Sequence, residues 1–323
     1  MTGGGDISAK LPVTIIGGYL GSGKTTLVNH LLRHADGVRL AVLVNEFGAL
    51  PIDSDLIESQ DENVISIAGG CVCCSYGNDL IVSMVDLAKM QPRPEHILIE
   101  SSGVALPGAI AATVDLLADY RFDGIVTLVD AETGKDRAAD KYVGETVRQQ
   151  LHDADIIVLN KTDLVSGDEL DAVANWLAET VPDARQIRVT QAAVPLEVVL
   201  ESHLGRDRVR RPAIANHDHF YETMRLDCTG PVDVDALGKT LAAAGLLRAK
   251  GFVRSHDGEL HTLQIVGRRW RRTPAPAGAV VGMVCIAIKD QYDRNAIVHL
   301  TADDEHTARH RASEHHTAKA GRS

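Results

Sequence analysis

The sequence lacks long apolar runs, a positive net charge and an even set of cysteines, and each shortage excludes a class of protein. The longest clean apolar run, Gly278–Ile288, falls well short of the ~20 residues that span a bilayer. A net charge of −11 argues against nucleic acid or an anionic membrane as the main partner. The short, Gly-rich start of the chain has no apolar segment that would mark export. We therefore expect a globular protein that binds neither nucleic acid nor membrane.

The cysteines point to a reducing compartment. There are five, an odd number, and three of them crowd into the segment Cys71–Cys74. This arrangement differs from the evenly paired, dispersed cysteines of a secreted disulfide framework. It predicts a cytoplasmic protein with a metal or redox site.

The first two thirds of the 323 residues alternate short apolar runs with helical patterns. Continuous apolarity predicts strands buried on both faces, and hence a mostly parallel α/β sheet between helices. The predicted strands are Val13–Ile16, Leu40–Val44, Val64–Ala68, Ile97–Ile99, Ile125–Val129, Ile156–Leu159 and Ile187–Val189. The predicted helices are Thr25–Arg33, Asp79–Lys89, Ile110–Asp119, Val143–His152 and Glu169–Glu179.

A second, smaller unit follows. Its pattern predicts an α+β domain with one helix, Val234–Ala244, and strands at Phe220–Leu226, Gly251–Arg254, Leu263–Val266 and Val280–Ile288. The polar, His-containing end of the chain has no apolar periodicity, so we expect it to be disordered. The predicted division is a flexible start at 1–10, an α/β domain at 11–204, a linker at 205–216, an α+β domain at 217–296 and a tail at 297–323.

The segment Gly18–Thr25 has the P-loop spacing G-x-x-x-x-G-K-[ST], and it lies between a predicted strand and a predicted helix. Its glycines let backbone N–H groups hold phosphate oxygens at a helix N-terminus. The lysine neutralises the β- and γ-phosphates, and the threonine hydroxyl ligates Mg²⁺. The pattern therefore predicts a P-loop NTPase fold and a bound nucleoside triphosphate. The expected contacts are Gly18, Gly21, Ser22, Gly23, Lys24, Thr25 and Thr26.

A second motif predicts which base is bound. Asn160, Lys161 and Asp163 follow a buried strand at the carboxyl edge of the sheet, where ligands of open α/β sheets bind. Asp163 can accept two hydrogen bonds from guanine, whereas adenine lacks that donor pair. Lys161 can lay its stem over the purine, and Asn160 can tie this loop to the P-loop. We therefore expect GTP rather than ATP.

Acidic residues follow two other strands. Glu100 ends an apolar strand, where a carboxylate would hold Mg²⁺ through water, and the Gly103 N–H three positions later could reach the γ-phosphate. Glu46 follows the second strand, where a nucleotide-sensing switch loop normally lies. The predicted catalytic residues are Lys24, Thr25, Glu46 and Glu100.

Cys71, Cys73 and Cys74 can wrap one soft metal ion and leave a fourth tetrahedral position open, which suits a metal that must be passed on. Two other interpretations stay open, namely buried small side chains and a redox thiol pair. Cys228 and Cys285 lie in strand-like runs and are expected to be core residues.

Together these motifs resemble those of the CobW-like family of metallochaperone GTPases. The segments that carry the resemblance occur in this order: GGYLGSGKTTLVNHLL, VNEFGALPIDSDLI, GGCVCC, ILIESSG and LNKTD. The second domain is similar to that family's carboxy-terminal domain through Leu247–Phe252 and Leu263–Gly267. One departure is Ala49, because members commonly have a glutamate there.

The resemblance implies slow GTP hydrolysis coupled to delivery of a transition metal to the apo-form of a client metalloprotein. It implies that Cys71, Cys73 and Cys74 are the metal ligands, with Zn²⁺ the expected ion and Co²⁺ or Fe²⁺ as alternatives. The sequence does not choose between a monomer and a dimer. Two competing hypotheses are a nucleotide-modulated metal buffer or sensor without a client, and a P-loop kinase. A kinase needs neither the guanine motif nor the cysteines.

Overall fold

The structure, a computed structural model, describes residues 10–35, 38–45, 64–69, 78–200, 221–228 and 230–297. The chain divides into two compact units, Met1–Glu201 and Ser202–Ser323. The predicted linker at 205–216 lies outside the described residues, as do most of the predicted flexible start and tail. Among the helices of the described ranges, none is long and apolar enough to cross a membrane.

The first unit is built on a seven-stranded sheet in which every neighbouring pair is parallel, in the order β3-β2-β4-β1-β5-β6-β7. All seven predicted strands are confirmed. The strands are β1 Leu11–Gly18, β2 Leu40–Asn45, β3 Val64–Gly69, β4 His96–Glu100, β5 Tyr120–Asp130, β6 Ile156–Asn160 and β7 Arg185–Arg188.

Helices connect these strands. They are α1 Lys24–Arg33, α2 Asn78–Lys89, α3 Pro107–Asp115, α4 Gly134–Ala139, α5 Gly144–His152, α6 Gly167–Thr180 and α7 Leu196–Val199. The five predicted helices are present. The prediction for α3 was displaced, because Pro107 starts the helix and its last turn ends before Leu116, which is 85% exposed. The short helices α4 and α7 were missed, since fewer than two turns carry no measurable periodicity.

Parallel strands all point their carboxyl ends to one edge of the sheet, and this topology positions the site. In register, Ile16 of β1 pairs with Glu100 of β4, and Asp130 of β5 pairs with Asn160 of β6. The loops after β1, β4, β5 and β6 therefore start side by side, as the order of the strands requires.

In its described residues, the second unit has one helix against a sheet of order β12-β11-β10-β13-β8 whose neighbouring strands are antiparallel, with β9 paired in parallel to β10. Its elements are β8 Tyr221–Leu226, β9 Pro231–Val232, α8 Val234–Ala243, β10 Arg248–Ser255, β11 Leu260–Val266, β12 Arg269–Pro274 and β13 Gly282–Ile288. The α+β class is confirmed. The strand β12 was missed because its sequence, RWRRTP, is basic and its side chains are largely exposed.

Both cysteines of this unit are core residues, as predicted. Cys228 and Cys285 are both buried thiols. Burial, and then the nearby Cys228, raises the pKa of Cys285 to about 12, so its thiol stays protonated at neutral pH. The same core includes Ile297, which is 1% exposed, so the folded unit extends into the first position of the predicted tail.

Candidate functional site

The loop between β1 and α1 has backbone angles that require glycine. Gly18 and Gly23 have φ values of 131° and 103°. A Cβ atom on Gly18 would lie 2.5 Å from the Leu128 carbonyl oxygen, and one on Gly23 would lie 2.5 Å from Asn160 Nδ2. Any side chain at either position would therefore displace the loop or its neighbours. The loop ends where α1 begins, at Lys24, so its N–H groups and the positive end of the helix dipole lie together.

The side chain of Lys24 lies across this loop. Its Nζ atom donates to the Gly18 carbonyl oxygen at 3.0 Å and to the Tyr19 carbonyl oxygen at 3.4 Å, and the residue is only 8% exposed. The ammonium group is thus fixed over the turn that the glycines form. A cation in this place suits the phosphate chain of a nucleotide.

Thr25 and Glu100 meet at the start of α1. The Thr25 hydroxyl donates to Glu100 Oε1 at 2.8 Å, and Glu100 is 4% exposed at the end of β4. The contact follows from the topology, because β4 lies next to β1 in the sheet. One hydroxyl and one carboxylate oxygen form a hard donor set that fits Mg²⁺. The structure thus brings together two residues that the sequence places 75 positions apart.

The segment after Glu100 packs directly on the P-loop. Gly103 is buried, and a Cβ atom there would lie 2.5 Å from Leu20 Cδ2. Gln150 of α5 fixes this segment, because its Nε2 donates to the carbonyl oxygens of Gly103 at 3.1 Å and Ala105 at 2.8 Å. Gln150 was missed by the sequence analysis. Nothing in the sequence pattern of α5 indicates that Gln150 is buried, at 1% exposure.

The loop after β6 is joined to the P-loop by one amide. Asn160 Nδ2 donates to the Ser22 carbonyl oxygen at 3.0 Å, and Asn160 Oδ1 accepts from the Ala192 N–H at 2.8 Å. Lys161 adopts the left-handed region at φ 60°, and Asp163 is exposed in the short 3₁₀ helix Thr162–Leu164. The carboxylate of Asp163 is therefore accessible to a ligand.

Two other predicted contacts are also exposed. Gly21, at φ 77°, forms the turn of the P-loop, and Thr26 lies in the first turn of α1. Ser22 is buried at 3% exposure.

Replacement of Asn160 by Ala is expected to destabilise the protein by about 2–3 kcal/mol. The change leaves the Ser22 carbonyl and the Ala192 N–H buried without their partner. Chemical denaturation followed by circular dichroism measures the free energy of unfolding. The matched control is Asn175→Ala, at an exposed position of α6, which should change stability little. Equal stability of Asn160→Ala and the wild type would contradict the bridging role of this amide.

Asp130 is a second residue that the sequence analysis missed. It ends β5, and its Oδ2 atom lies 2.7 Å from Lys161 Nζ. The sequence could have indicated Asp130, because it directly follows the apolar run Ile125–Val129, just as Asn160 directly follows the run of β6. Acidic residues at the carboxyl ends of neighbouring parallel strands lie at the edge of the sheet where ligands bind.

Four predicted site residues lie outside the described residues: Glu46, Cys71, Cys73 and Cys74. The strands that lead to them are described. Glu46 follows β2, whose Val44 pairs with Glu100. The three cysteines come after β3, which ends at Gly69, and before α2, which begins at Asn78. Both segments therefore leave the sheet at the same edge as the P-loop.

Comparisons with known proteins find matches to both units of the chain. The family model described as CobW/HypB/UreG, nucleotide-binding domain, matches residues 12–188, and the cobalamin synthesis protein cobW C-terminal domain matches residues 221–307. The zinc chaperone CobW of Sinorhizobium sp is 32% identical over 305 residues, covering 80% of this chain and 86% of that protein. The zinc-regulated GTPase metalloprotein activator 1 of Dictyostelium discoideum is 34% identical over 233 residues, covering 60% of this chain and 49% of that protein.

Among solved structures, the Zn(II)-bound YjiA GTPase from E. coli is 24% identical in sequence. The match covers 90% of this chain and 99% of that chain, with a TM-score of 0.45.

Proposed function

Because the chain belongs to the CobW/HypB/UreG family, we propose that it is a GTPase that binds a transition metal and delivers it to a client metalloprotein. The proposed metal is Zn²⁺, held by Cys71, Cys73 and Cys74. Support for zinc comes from the names of the relatives, which are a zinc chaperone and a zinc-regulated GTPase. We place the protein in the cytoplasm, where these thiols stay reduced.

The observation that carries the nucleotide part of the proposal is the Asn160 bridge. It joins a loop with phosphate-binding geometry to a loop that ends in an exposed carboxylate, through the Ser22 carbonyl oxygen. A ligand that spans both loops must have phosphates at one end and a ring with adjacent donors at the other. Guanine presents the donor pair that Asp163 can accept, and adenine does not.

The hydrolytic part follows from the residues at the phosphate end. Lys24 neutralises charge on the β- and γ-phosphates, and the loop N–H groups orient them. Thr25 and Glu100 would hold Mg²⁺, which supplies further charge neutralisation at the phosphates when bound. Gly103 follows Glu100 on a segment that packs on the P-loop and is fixed by Gln150, which supports the proposal that its N–H responds to the γ-phosphate. We propose that Glu46, directly after β2, completes this group.

Coupling between nucleotide and metal is favoured by the order of the strands. The cysteine segment leaves β3, which is separated from β1 by β2 and β4. With neighbouring strands roughly 4.8 Å apart, the starts of the two loops are separated by roughly 14 Å. The proposed switch segment starts from β2, a strand that lies between β3 and β1, so a γ-phosphate that orders this segment can alter the cysteine loop.

GTP is expected to tighten Zn²⁺ binding about tenfold relative to GDP, within the roughly 5- to 150-fold range of typical allosteric coupling. By linkage, Zn²⁺ must change the affinity for GTP relative to GDP by the same factor. The test is a competitive Zn²⁺ titration of the full chain in GTP, in GDP and without nucleotide. It should be repeated at lower pH, where thiol protonation weakens binding.

The matched variant for this titration is Cys71→Ala/Cys73→Ala/Cys74→Ala, which should keep GTP binding and lose the zinc response. The control is Cys228→Ala, which removes a thiol of the second unit. Equal zinc affinity in GTP and GDP would overturn the coupling and leave a metal buffer as the better description. Transfer of zinc to an apo-protein, measured by gel filtration and metal analysis, separates a chaperone from a sensor.

A further inference from the structure

The carboxylate of Asp130 forms an ion pair with Lys161 at the ends of β5 and β6. Asp130 Oδ2 and Lys161 Nζ are 2.7 Å apart, with the two side chains 12% and 34% exposed respectively. The backbone places them together, because Asp130 pairs in register with Asn160, the residue before Lys161. The contact links two adjacent strand ends across the edge where the nucleotide is proposed to bind.

Asp130 is itself held in place by its other oxygen. Its Oδ1 atom accepts from the Glu132 N–H at 2.9 Å and from the Thr133 N–H at 3.4 Å. These bonds shape the turn that leads into α4 and fix the orientation of the carboxylate. The ammonium group of Lys161 therefore meets a rigid partner rather than a mobile one.

Lys161 is also fixed at its backbone. It adopts φ 60°, a conformation that non-glycine residues enter at a cost, and the following Thr162 is tied to the end of β7. The Thr162 N–H and hydroxyl both contact the Val189 carbonyl oxygen, at 3.3 and 3.1 Å. With the Cα atom and the ammonium both restrained, the aliphatic stem between them has little freedom left.

We propose that Asp130 is a positioning residue that holds the stem of Lys161 as a preformed platform for the guanine ring. The inference rests on the proposed GTP binding. A lysine without an ion-pair partner loses rotamer freedom when it packs on a ligand, and this loss of side-chain entropy weakens binding of the ligand. An ion pair that orders the side chain beforehand removes this cost. Asp130 touches neither phosphate nor base in this scheme and acts through Lys161.

Asp130→Asn is expected to weaken GTP and GDP binding about fivefold, which is the scale of a partly exposed ion pair. The amide oxygen can still accept from the Glu132 and Thr133 N–H groups, so the turn is preserved. Isothermal titration should show the loss for both nucleotides, and KM should rise while kcat stays close to wild type. Inorganic tripolyphosphate, which has no base, should bind wild type and variant equally.

The matched control is Asp136→Asn, which removes an exposed carboxylate from α4 without touching Lys161. A double-mutant cycle with Lys161→Met adds a readout that a purely structural role would not move. Methionine keeps an unbranched stem and removes the ammonium, so Asp130→Asn should add nothing in that background.

Three outcomes would overturn the positioning role. They are unchanged nucleotide affinity in Asp130→Asn, an equal loss for tripolyphosphate, and additive losses in the double variant. A wild-type chain that binds tripolyphosphate but not GTP would instead overturn the proposed function, and this inference with it.

Discussion

Lys24→Ala is expected to reduce GTP turnover at least 100-fold in a chain that still folds. The ammonium of Lys24 is the cation fixed over the P-loop, 3.0 Å from the Gly18 carbonyl oxygen. Without it, charge that develops on the β–γ bridge in the transition state loses its lysine partner, a loss of about 3 kcal/mol or more. Single-turnover phosphate release with saturating GTP measures the effect.

Two controls separate chemistry from folding in that experiment. Lys135→Ala removes an exposed lysine of α4 and should leave turnover unchanged. Thermal unfolding of Lys24→Ala reports whether the loop survives without the bonds to Gly18 and Tyr19. A well-folded variant with a near-wild-type rate would remove Lys24 from the mechanism.

The sheet of the first unit could be predicted because its strands are buried on both faces. The run Ile156–Leu159 is wholly apolar, the run Val13–Ile16 is interrupted only by the uncharged Thr14, and the structure buries both completely. The chemistry at their carboxyl ends follows from the same rule, since the order of parallel strands decides which loops meet. The P-loop and the loop after β6 therefore had to approach each other, and Asn160 is the residue that joins them.

Side-chain contacts between residues that are distant in the sequence were missed. Gln150 acts through Gly103 and Ala105, which lie 47 and 45 residues away, and no spacing rule connects them. The position of Asp130 after an apolar run places it at the ligand edge of the sheet, but its ion pair with Lys161, 31 residues away, could not be predicted. Side-chain pairing of this kind depends on the register between strands and on how a helix rotates against a loop. Strand β12 was also missed, because its sequence is basic and largely exposed, and pairing with β11 keeps it extended.

The proposed preference for guanine rests on one exposed carboxylate, which makes it open to a sharp test. Asp163 lies in the 3₁₀ turn after β6, and the left-handed Lys161 starts that turn. In the proposed complex, an aspartate there accepts from two donors of guanine. An asparagine offers one acceptor and one donor, so its NH₂ group would face a donor of guanine.

Asp163→Asn is therefore expected to weaken GTP binding on the order of 100-fold and to improve binding of xanthosine triphosphate, whose ring has an acceptor in place of the exocyclic amine. Titration of both nucleotides against wild type and variant measures the exchange of preference. Asp168→Asn, an exposed acid in the first turn of α6, is the control for loss of charge alone.

If Asp163→Asn kept its affinity for GTP, the loop after β6 would not contact the base, and the Asn160 bridge would be a structural tie only. If GTP weakened without any gain for the xanthine nucleotide, Asp163 would support the loop rather than contact the ring. Only the reversal of preference assigns the carboxylate to the guanine edge.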